Sequence, residues 1–267
     1  MNLSNQSLLD KDQKNKQLFF LIGYPRSGNT LLASILNQNP NIACSGNSIT
    51  LEMAARLYLL KQDITFKNFP DHQSYDNVLN SIFDLYYSDW PQKIIIDRGP
   101  VTTPGNMEMM KKHFGTNFKC IVLLRDLKEI LASYIKWFTN QPDAFVNKEG
   151  GNTLEDKLHY LMEPSGAIYK QGLAIQNSYL YKDICHYIKY DDLVTNTENT
   201  LKKLYEFLNI DWFEHNLKDL KQLNINGITY DDTVIGNNMH TIRTEIKKEY
   251  NNYINQIPKS ILTKYEI

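Results

Sequence analysis

Four short apolar runs along the chain predict buried β-strands, at residues 18–22, 93–96, 119–124 and 184–189. Nearly continuous apolar character is typical of strands covered on both faces, as in a parallel sheet. Because these runs alternate with helical patterns, they predict an α/β fold: a three-layer sandwich with a central parallel sheet. Ligands bind such sheets at the carboxyl ends of the strands.

Segments with helical periodicity separate the strands. The predicted helices cover residues 29–37, 51–61, 75–87, 104–113, 127–138, 154–162, 167–181 and 197–208. A polar stretch at 142–152 predicts a loop, and the chain from Trp212 onwards predicts short helices and loops. We therefore expect one domain over residues 17–267, preceded by a polar, disordered or flexible tail over residues 1–16.

Composition and charge narrow the class of protein. The 267 residues carry a net charge of −1, which does not suit a general nucleic-acid-binding protein. Three scattered cysteines are too few for a disulfide framework or a zinc site, and no metal site is expected. The N-terminus has no apolar signal-peptide core, and no run approaches the ~18 residues of a membrane span. The sequence thus predicts a soluble, cytoplasmic protein.

The connection between the first strand and the first helix carries the strongest motif, Gly23-Tyr24-Pro25-Arg26-Ser27-Gly28-Asn29-Thr30. In a strand–loop–helix of this kind, successive backbone N–H groups converge on one point, with the positive end of the helix dipole behind them. Arg26 adds a charged donor, and Ser27 and Thr30 add hydroxyls. The segment predicts a site for a phosphate or sulfate group.

The spacing resembles a Walker A loop, but Asn29 stands where that loop has its lysine. Since this lysine reaches the phosphates of a nucleoside triphosphate, its loss argues against ordinary ATP or GTP hydrolysis. The string from Tyr24 to Leu32 is similar instead to the 5′-phosphosulfate loop of the sulfotransferases. The resemblance implies a P-loop-like fold, and it implies that residues 25–30 hold 3′-phosphoadenosine 5′-phosphosulfate (PAPS), the donor of a sulfuryl group.

Two later segments extend the resemblance. Arg125 follows the third strand and so faces the same crevice as the loop, although an arginine there could equally close an ordinary turn. Arg125-Asp126 followed by Ser133 resembles the family element that binds the 3′-phosphate of PAPS. The stretch around Tyr190 is similar to a segment whose tyrosine lies near the adenine, although an aromatic residue packed on the core is an equal alternative.

The reacting centre is less well defined by the sequence. The resemblance implies a reaction without a divalent metal, so Arg26 and Arg98 are the cations expected to offset charge on the leaving phosphate. Asp97 and His240 are the candidate general bases, although a lone residue of either kind is more often structural than catalytic. Arg243 belongs to a His-x-x-Arg pattern similar to that of some bacterial relatives, and it could meet the 3′-phosphate.

The expected acceptor is a hydroxyl of a carbohydrate or small molecule, in a pocket shaped by residues 51–60 and 140–152. Two other functions stay open. A divergent P-loop kinase would bind Mg-ATP, and a catalytically weak PAPS-binding protein would explain a missing base.

Overall fold

The computed structural model describes residues 16–248 and 250–267. Its main sheet is built from β1 (Gln17–Gly23), β2 (Ile42–Cys44), β3 (Ile94–Arg98), β4 (Lys119–Leu124) and β5 (Cys185–Lys189). All neighbours are parallel, in the order β2-β3-β1-β4-β5. The sheet is flanked by helices, which confirms the predicted α/β fold with a central parallel sheet.

The helices begin and end as follows: α1 (Asn29–Leu36), α2 (Thr50–Leu60), α3 (Ile64–Asn68), α4 (His72–Asn80), α5 (Ile82–Tyr86), α6 (Pro104–His113), α7 (Leu127–Asn140), α8 (Phe145–Glu149), α9 (Leu154–Met162), α10 (Tyr169–Ser178), α11 (Tyr190–Thr195), α12 (Thr197–Leu208) and α13 (Lys259–Lys264). Short 3-10 turns occupy Tyr179–Ile184, Asp232–Val234 and Asn252–Gln256. A small antiparallel hairpin joins β6 (Asn224–Ile225) to β7 (Ile228–Thr229).

Burial explains why β1 occupies the middle of the sheet. Its residues Phe20, Leu21 and Ile22 have no exposed surface, and neither do Cys120–Leu123 on the neighbouring β4. A second apolar cluster packs α7 against α8, α9 and α13. Because the strands are parallel, the carboxyl ends of β1, β3, β4 and β5 lie on the same side of the sheet. The loop after β1 lies on this side.

The structure corrects four predicted elements. The second predicted strand was too short, because β3 continues through Asp97 to Arg98. The helix predicted at 75–87 is broken at Ser81, whose Oγ donates to the Asn77 carbonyl oxygen at 2.8 Å. The helix predicted at 167–181 ends at Ser178 and continues as a 3-10 turn. The loop predicted at 142–152 contains α8.

The first described residue, Lys16, contacts the body of the protein. Residues 1–15 of the tail predicted at 1–16 lie outside the described part of the chain. The Nζ atom of Lys16 donates to the carbonyl oxygen of Trp90 and to that of Gln92, the latter at 2.9 Å.

Across the two described ranges, no helix combines the length and apolar character that crossing a membrane would require.

Candidate active site

The loop after β1 takes an unusual backbone path. Arg26 (φ 67°) and Gly28 (φ 97°) both lie in the left-handed region. A Cβ atom at position 28 would lie 2.8 Å from the ring of Tyr190, so glycine also permits this ring to pack on the loop. The loop then enters α1, whose first N–H groups have no partner within the helix.

Two side chains of the loop hold its shape. The Ser27 Oγ and the Asn29 Nδ2 each donate to the Tyr24 carbonyl oxygen at 2.7 Å, and Ser27 is fully buried. The hydroxyl proton of Ser27 is therefore used inside the loop. An anion at this site would instead meet the backbone of α1, the Thr30 hydroxyl and the Arg26 side chain.

A cavity of about 580 Å³ opens beside this loop. Most of the residues predicted to bind the nucleotide line it: Arg26, Gly28, Asn29, Thr30, Arg125, Ser133, Tyr190 and Arg243, together with the candidate base His240. Pro25 and Ser27 are not part of its wall. The structure thus brings the loop and the distant Arg125 into one cleft.

Arg125 connects three elements of this cleft. Its guanidinium carbon lies 4.1 Å from the centre of the Tyr190 ring, a cation–π arrangement. Its Nη1 donates to the Arg26 carbonyl oxygen at 2.6 Å, and its Nε donates to Glu129 on α7 at 3.0 Å. Arg125 is therefore fixed against the loop, α7 and the start of α11.

Arg26 reaches across the cleft to the C-terminal part of the chain. Its Nε donates to the Ser133 Oγ at 3.1 Å, and its Nη1 donates to the Met239 carbonyl oxygen. Burial lowers the pKa of this guanidinium. Since Met239 precedes His240, the contact ties the loop after β1 to the segment that carries the candidate base.

His240 is oriented by a carboxylate and by an aromatic ring. Its Nδ1 lies 2.5 Å from Asp232 Oδ1, and its backbone N–H donates to Asp232 Oδ2 at 2.8 Å. The Tyr230 ring stacks on the imidazole, with centroids 3.7 Å apart and planes at 3°. A carboxylate only accepts, so Nδ1 carries the proton and neutral His240 keeps its lone pair on Nε2. Burial lowers the pKa of His240, and Asp232 opposes this shift.

His240 also lines a second cavity, of about 360 Å³. This cavity lies between the Tyr86–Trp90 region and the β6–β7 hairpin with the 3-10 turn that follows it. We call it the hairpin cavity. His240 therefore belongs to the walls of both cavities.

Asp97 and Arg98 lie beside these cavities without lining either of them. Asp97 is fully buried and its Oδ2 accepts from the Tyr87 hydroxyl at 2.7 Å and from the Ser48 hydroxyl at 3.0 Å. Burial raises its pKa to about 6.

The Arg98 Nη1 donates to the Gly46 carbonyl oxygen at 3.0 Å. Its Nε has no hydrogen-bond partner within the described part of the chain, and its side chain lines a smaller cavity of about 240 Å³.

The sequence reasoning missed Asp232 and Tyr230. Asp232 lies eight residues before His240 in a stretch with no periodic pattern, so nothing in the sequence indicated that the chain folds back to join them. Of the segments predicted to shape the acceptor pocket, 51–60 contributes Leu51 and Glu52 to the cavity of about 240 Å³ beside Arg98, and 140–152 contributes Asn140 and Gln141 to the larger cavity. Among residues 16–248 and 250–267, no group of three or more His, Cys, Asp or Glu side chains could hold a metal ion.

We compared the chain with known protein families and structures. A family model described as "Sulfotransferase family" matches residues 19–214. This range contains the loop, Arg125 and Tyr190, whereas Asp232 and His240 lie beyond it. No curated protein matched the sequence.

Several solved structures share the fold. The mouse sulfotransferase SULT7A1 complexed with PAP is 15% identical, with a TM-score of 0.54 over 94% of this chain and 82% of that chain. A sulfotransferase domain from the curacin biosynthetic pathway is 17% identical, with a TM-score of 0.51 over 94% and 97% of the two chains. The sulfotransferase domain of the Synechococcus PCC 7002 olefin synthase is 15% identical, with a TM-score of 0.51 over 95% and 96%.

Proposed function

Because the chain belongs to the sulfotransferase family, we propose that it transfers a sulfuryl group from PAPS to a hydroxyl of a carbohydrate or small-molecule acceptor. One observation carries this proposal beyond the family. His240, oriented by Asp232, belongs to the walls of both the cavity beside the loop and the hairpin cavity, and we call this shared position the junction. A base at the junction would have the donor in one cavity and the acceptor in the other.

The residues of the larger cavity fit the donor. The start of α1, Thr30 and Arg26 would hold the 5′-phosphosulfate end, because amides at a helix start and a buried guanidinium both favour an anion. Arg125 and Ser133 would hold the 3′-phosphate, and Tyr190 would lie beside the adenine. Arg243 lines the same cavity and supplies further positive charge. When bound, PAPS supplies the sulfuryl group.

His240 then acts as general base. Its Nε2 accepts the proton of the acceptor hydroxyl, and the Asp232 carboxylate stabilises the imidazolium that results. The burial that lowers the pKa of His240 keeps the ring neutral, and able to accept a proton, near neutral pH. We assign this role to His240 rather than Asp97, because Asp97 is fully buried and lines neither cavity.

The cations near the junction stabilise the charge that develops on the leaving 5′-phosphate. Arg26 lines the cleft itself, so it is the first candidate. Arg98 lies close enough for its charge to lower the pKa of His240, and its Nε has no partner in the described chain. We propose that Arg98 contributes positive charge to this region from β3.

Transfer of radiolabelled sulfate tests the proposal. The protein is incubated with labelled PAPS and a panel of phenolic and sugar acceptors, and labelled product is separated from labelled inorganic sulfate. We expect acceptor-dependent product, which falls to background in the His240→Gln variant. Binding of adenosine 3′,5′-bisphosphate (PAP) without transfer to any acceptor would contradict the proposed activity and favour a nucleotide-binding role.

A further inference from the structure

The wall of the hairpin cavity is rich in aromatic and aliphatic side chains. Tyr86, Tyr87 and Trp90 approach from one side, and Ile225, Ile228 and Val234 from the other. The three rings form one cluster, since the centre of the Tyr87 ring lies 4.9 Å from those of Tyr86 and Trp90, with edge-to-face geometry. Such a wall favours a flat apolar molecule, which gains contact area with the rings.

Several polar side chains of this wall are already engaged with the protein, although the buried Tyr230 hydroxyl has no hydrogen-bond partner within the described residues. Ser48 and Tyr87 both donate their hydroxyl protons to Asp97. The Ser45 Oγ accepts from the Arg98 backbone N–H at 2.9 Å and donates to the Ile96 carbonyl oxygen at 3.3 Å. A sugar buried here would need new partners for several hydroxyls, and each unpartnered group would weaken its binding.

The ionised side chains that line the hairpin cavity are negative, although Arg98 lies behind the wall, where its Nη1 donates to the Gly46 carbonyl oxygen at 3.0 Å. Within the described ranges, the ionised side chains of its wall are Asp231 and Asp232, and no lysine or arginine belongs to it. Asp232 is paired with His240, and the exposed Asp231 accepts from the Thr233 N–H at 3.1 Å. An anionic acceptor would be repelled by these carboxylates, whereas a cationic one would be attracted.

The volume sets the size of the acceptor. At about 360 Å³, the hairpin cavity has more than twice the ~150 Å³ that admits a single benzene molecule. One or two aromatic rings therefore fill it. His240 belongs to the walls of this cavity and of the nucleotide cleft, so we place the hydroxyl of such a molecule at the imidazole.

Resting on the proposed sulfuryl transfer, we propose that the hairpin cavity selects a neutral or cationic aromatic hydroxyl compound of one or two rings. The acceptor O–H bond breaks, its proton moves to Nε2 of His240, and the acceptor oxygen bonds to sulfur as the bond between sulfur and the 5′-phosphate oxygen breaks. Sugars and anionic phenols are the poorer acceptors.

A matched acceptor panel tests this selectivity. PAP affinity is measured first by calorimetry, and kcat/KM is then measured for 2-naphthol, tyramine, 4-hydroxyphenylpropionate and methyl glucoside. We expect 2-naphthol and tyramine to exceed the anionic phenol and the sugar by about tenfold or more. Failure of PAP to bind would overturn the proposed function itself. PAP binding without transfer to any of the four would also contradict the proposed function, whereas transfer with preference for the sugar or the anionic phenol would overturn only the inference about the acceptor.

A charge introduced at the rim gives a second readout. Val234 is 77% exposed, so Val234→Lys should fold normally. Ile64→Lys is the matched control, since Ile64 is 78% exposed and is not part of this cavity. We expect Val234→Lys to shift the ratio of kcat/KM for 4-hydroxyphenylpropionate over tyramine upwards by roughly fivefold. An equal ratio in both variants would contradict the assignment of the cavity.

Discussion

The Asp232 carboxylate makes two hydrogen bonds to His240. Its Oδ2 accepts from the backbone N–H of His240 at 2.8 Å, and its Oδ1 lies 2.5 Å from the His240 Nδ1. The two contacts fix both the position and the tautomer of the imidazole. Tyr230 covers one face of the ring, and Arg26 holds the preceding carbonyl group of Met239. These contacts hold the imidazole in one orientation although His240 lies in an irregular segment.

Replacement of the base should separate binding from transfer. We expect His240→Gln to lower kcat by about 10²–10⁴-fold, because general base catalysis contributes that much. PAP affinity should change little, since other residues of the cleft, Arg26, Thr30, Arg125 and Ser133, are those proposed to hold the phosphates. The control is His72→Gln, at an exposed position on α4. Single-turnover transfer and calorimetry measure the two properties, and an active His240→Gln enzyme would remove the histidine from the mechanism.

Replacement of the orienting carboxylate should change the pH profile. The Asp232 charge favours the imidazolium and raises the pKa of His240 against the effect of burial. Asp232→Asn removes that charge, so the pKa should fall further. Because only neutral His240 accepts a proton, the acid limb of kcat/KM should move to lower pH, while kcat falls by roughly 10²-fold or more.

Asp219→Asn is the control for this measurement, since Asp219 pairs only with the exposed Lys221, at 2.6 Å. An acid limb that stays in place in Asp232→Asn, as it should in Asp219→Asn, would show that Asp232 does not act on the base.

The assignment of Arg125 to the 3′-phosphate gives a ligand-dependent prediction. Arg125→Ala should weaken PAP binding by at least about tenfold more than it weakens binding of 5′-AMP, because the lost charged contact is to the group that 5′-AMP lacks. Arg56→Ala is the control, since Arg56 forms an exposed pair with Glu52. Calorimetric titration of both ligands measures the ratio, and an equal loss for both would refute the assignment.

Substitutions at two glycines test whether the stacking of the Tyr230 ring on His240 matters for activity. A Cβ atom at Gly46 would lie 1.9 Å from the Tyr230 hydroxyl oxygen, so Gly46→Ala must displace the ring that stacks on His240. A displacement of this size should lower kcat/KM by roughly 10–10²-fold. Gly105→Ala has open space in α6 and should retain activity and slightly raise stability. Equal activity in both variants would show that the stack does not position the base.

Regular elements were the most predictable part of the fold. β4, α6, α9 and α12 have the predicted bounds, because each has a strong apolar pattern or clear caps. β2 escaped prediction since it has only three residues, Ile42–Cys44, at the edge of the sheet. The end of β3 was misplaced because Asp97 is a buried charge, which a strand tolerates only where partners such as Tyr87 and Ser48 donate to it.

The site was predictable where a motif fixes the backbone. The loop at residues 25–30 and Arg125 each follow a strand of a parallel sheet, so their meeting at one edge followed from topology. The roles of Asp97 and His240 could not be separated, because the sequence does not show which of the two is enclosed by the core. Only the three-dimensional path of the chain brings Asp232 and Tyr230 to His240.

We propose above all that the cleft between the loop and Arg125 binds an adenosine nucleotide that has two separate phosphate groups. Calorimetric titration of the wild-type protein with PAP and, separately, with Mg-ATP tests it most directly. We expect PAP to bind without added metal and at least about tenfold more tightly than Mg-ATP, because two separate groups of donors hold its two ends. Tighter binding of Mg-ATP than of PAP would contradict it.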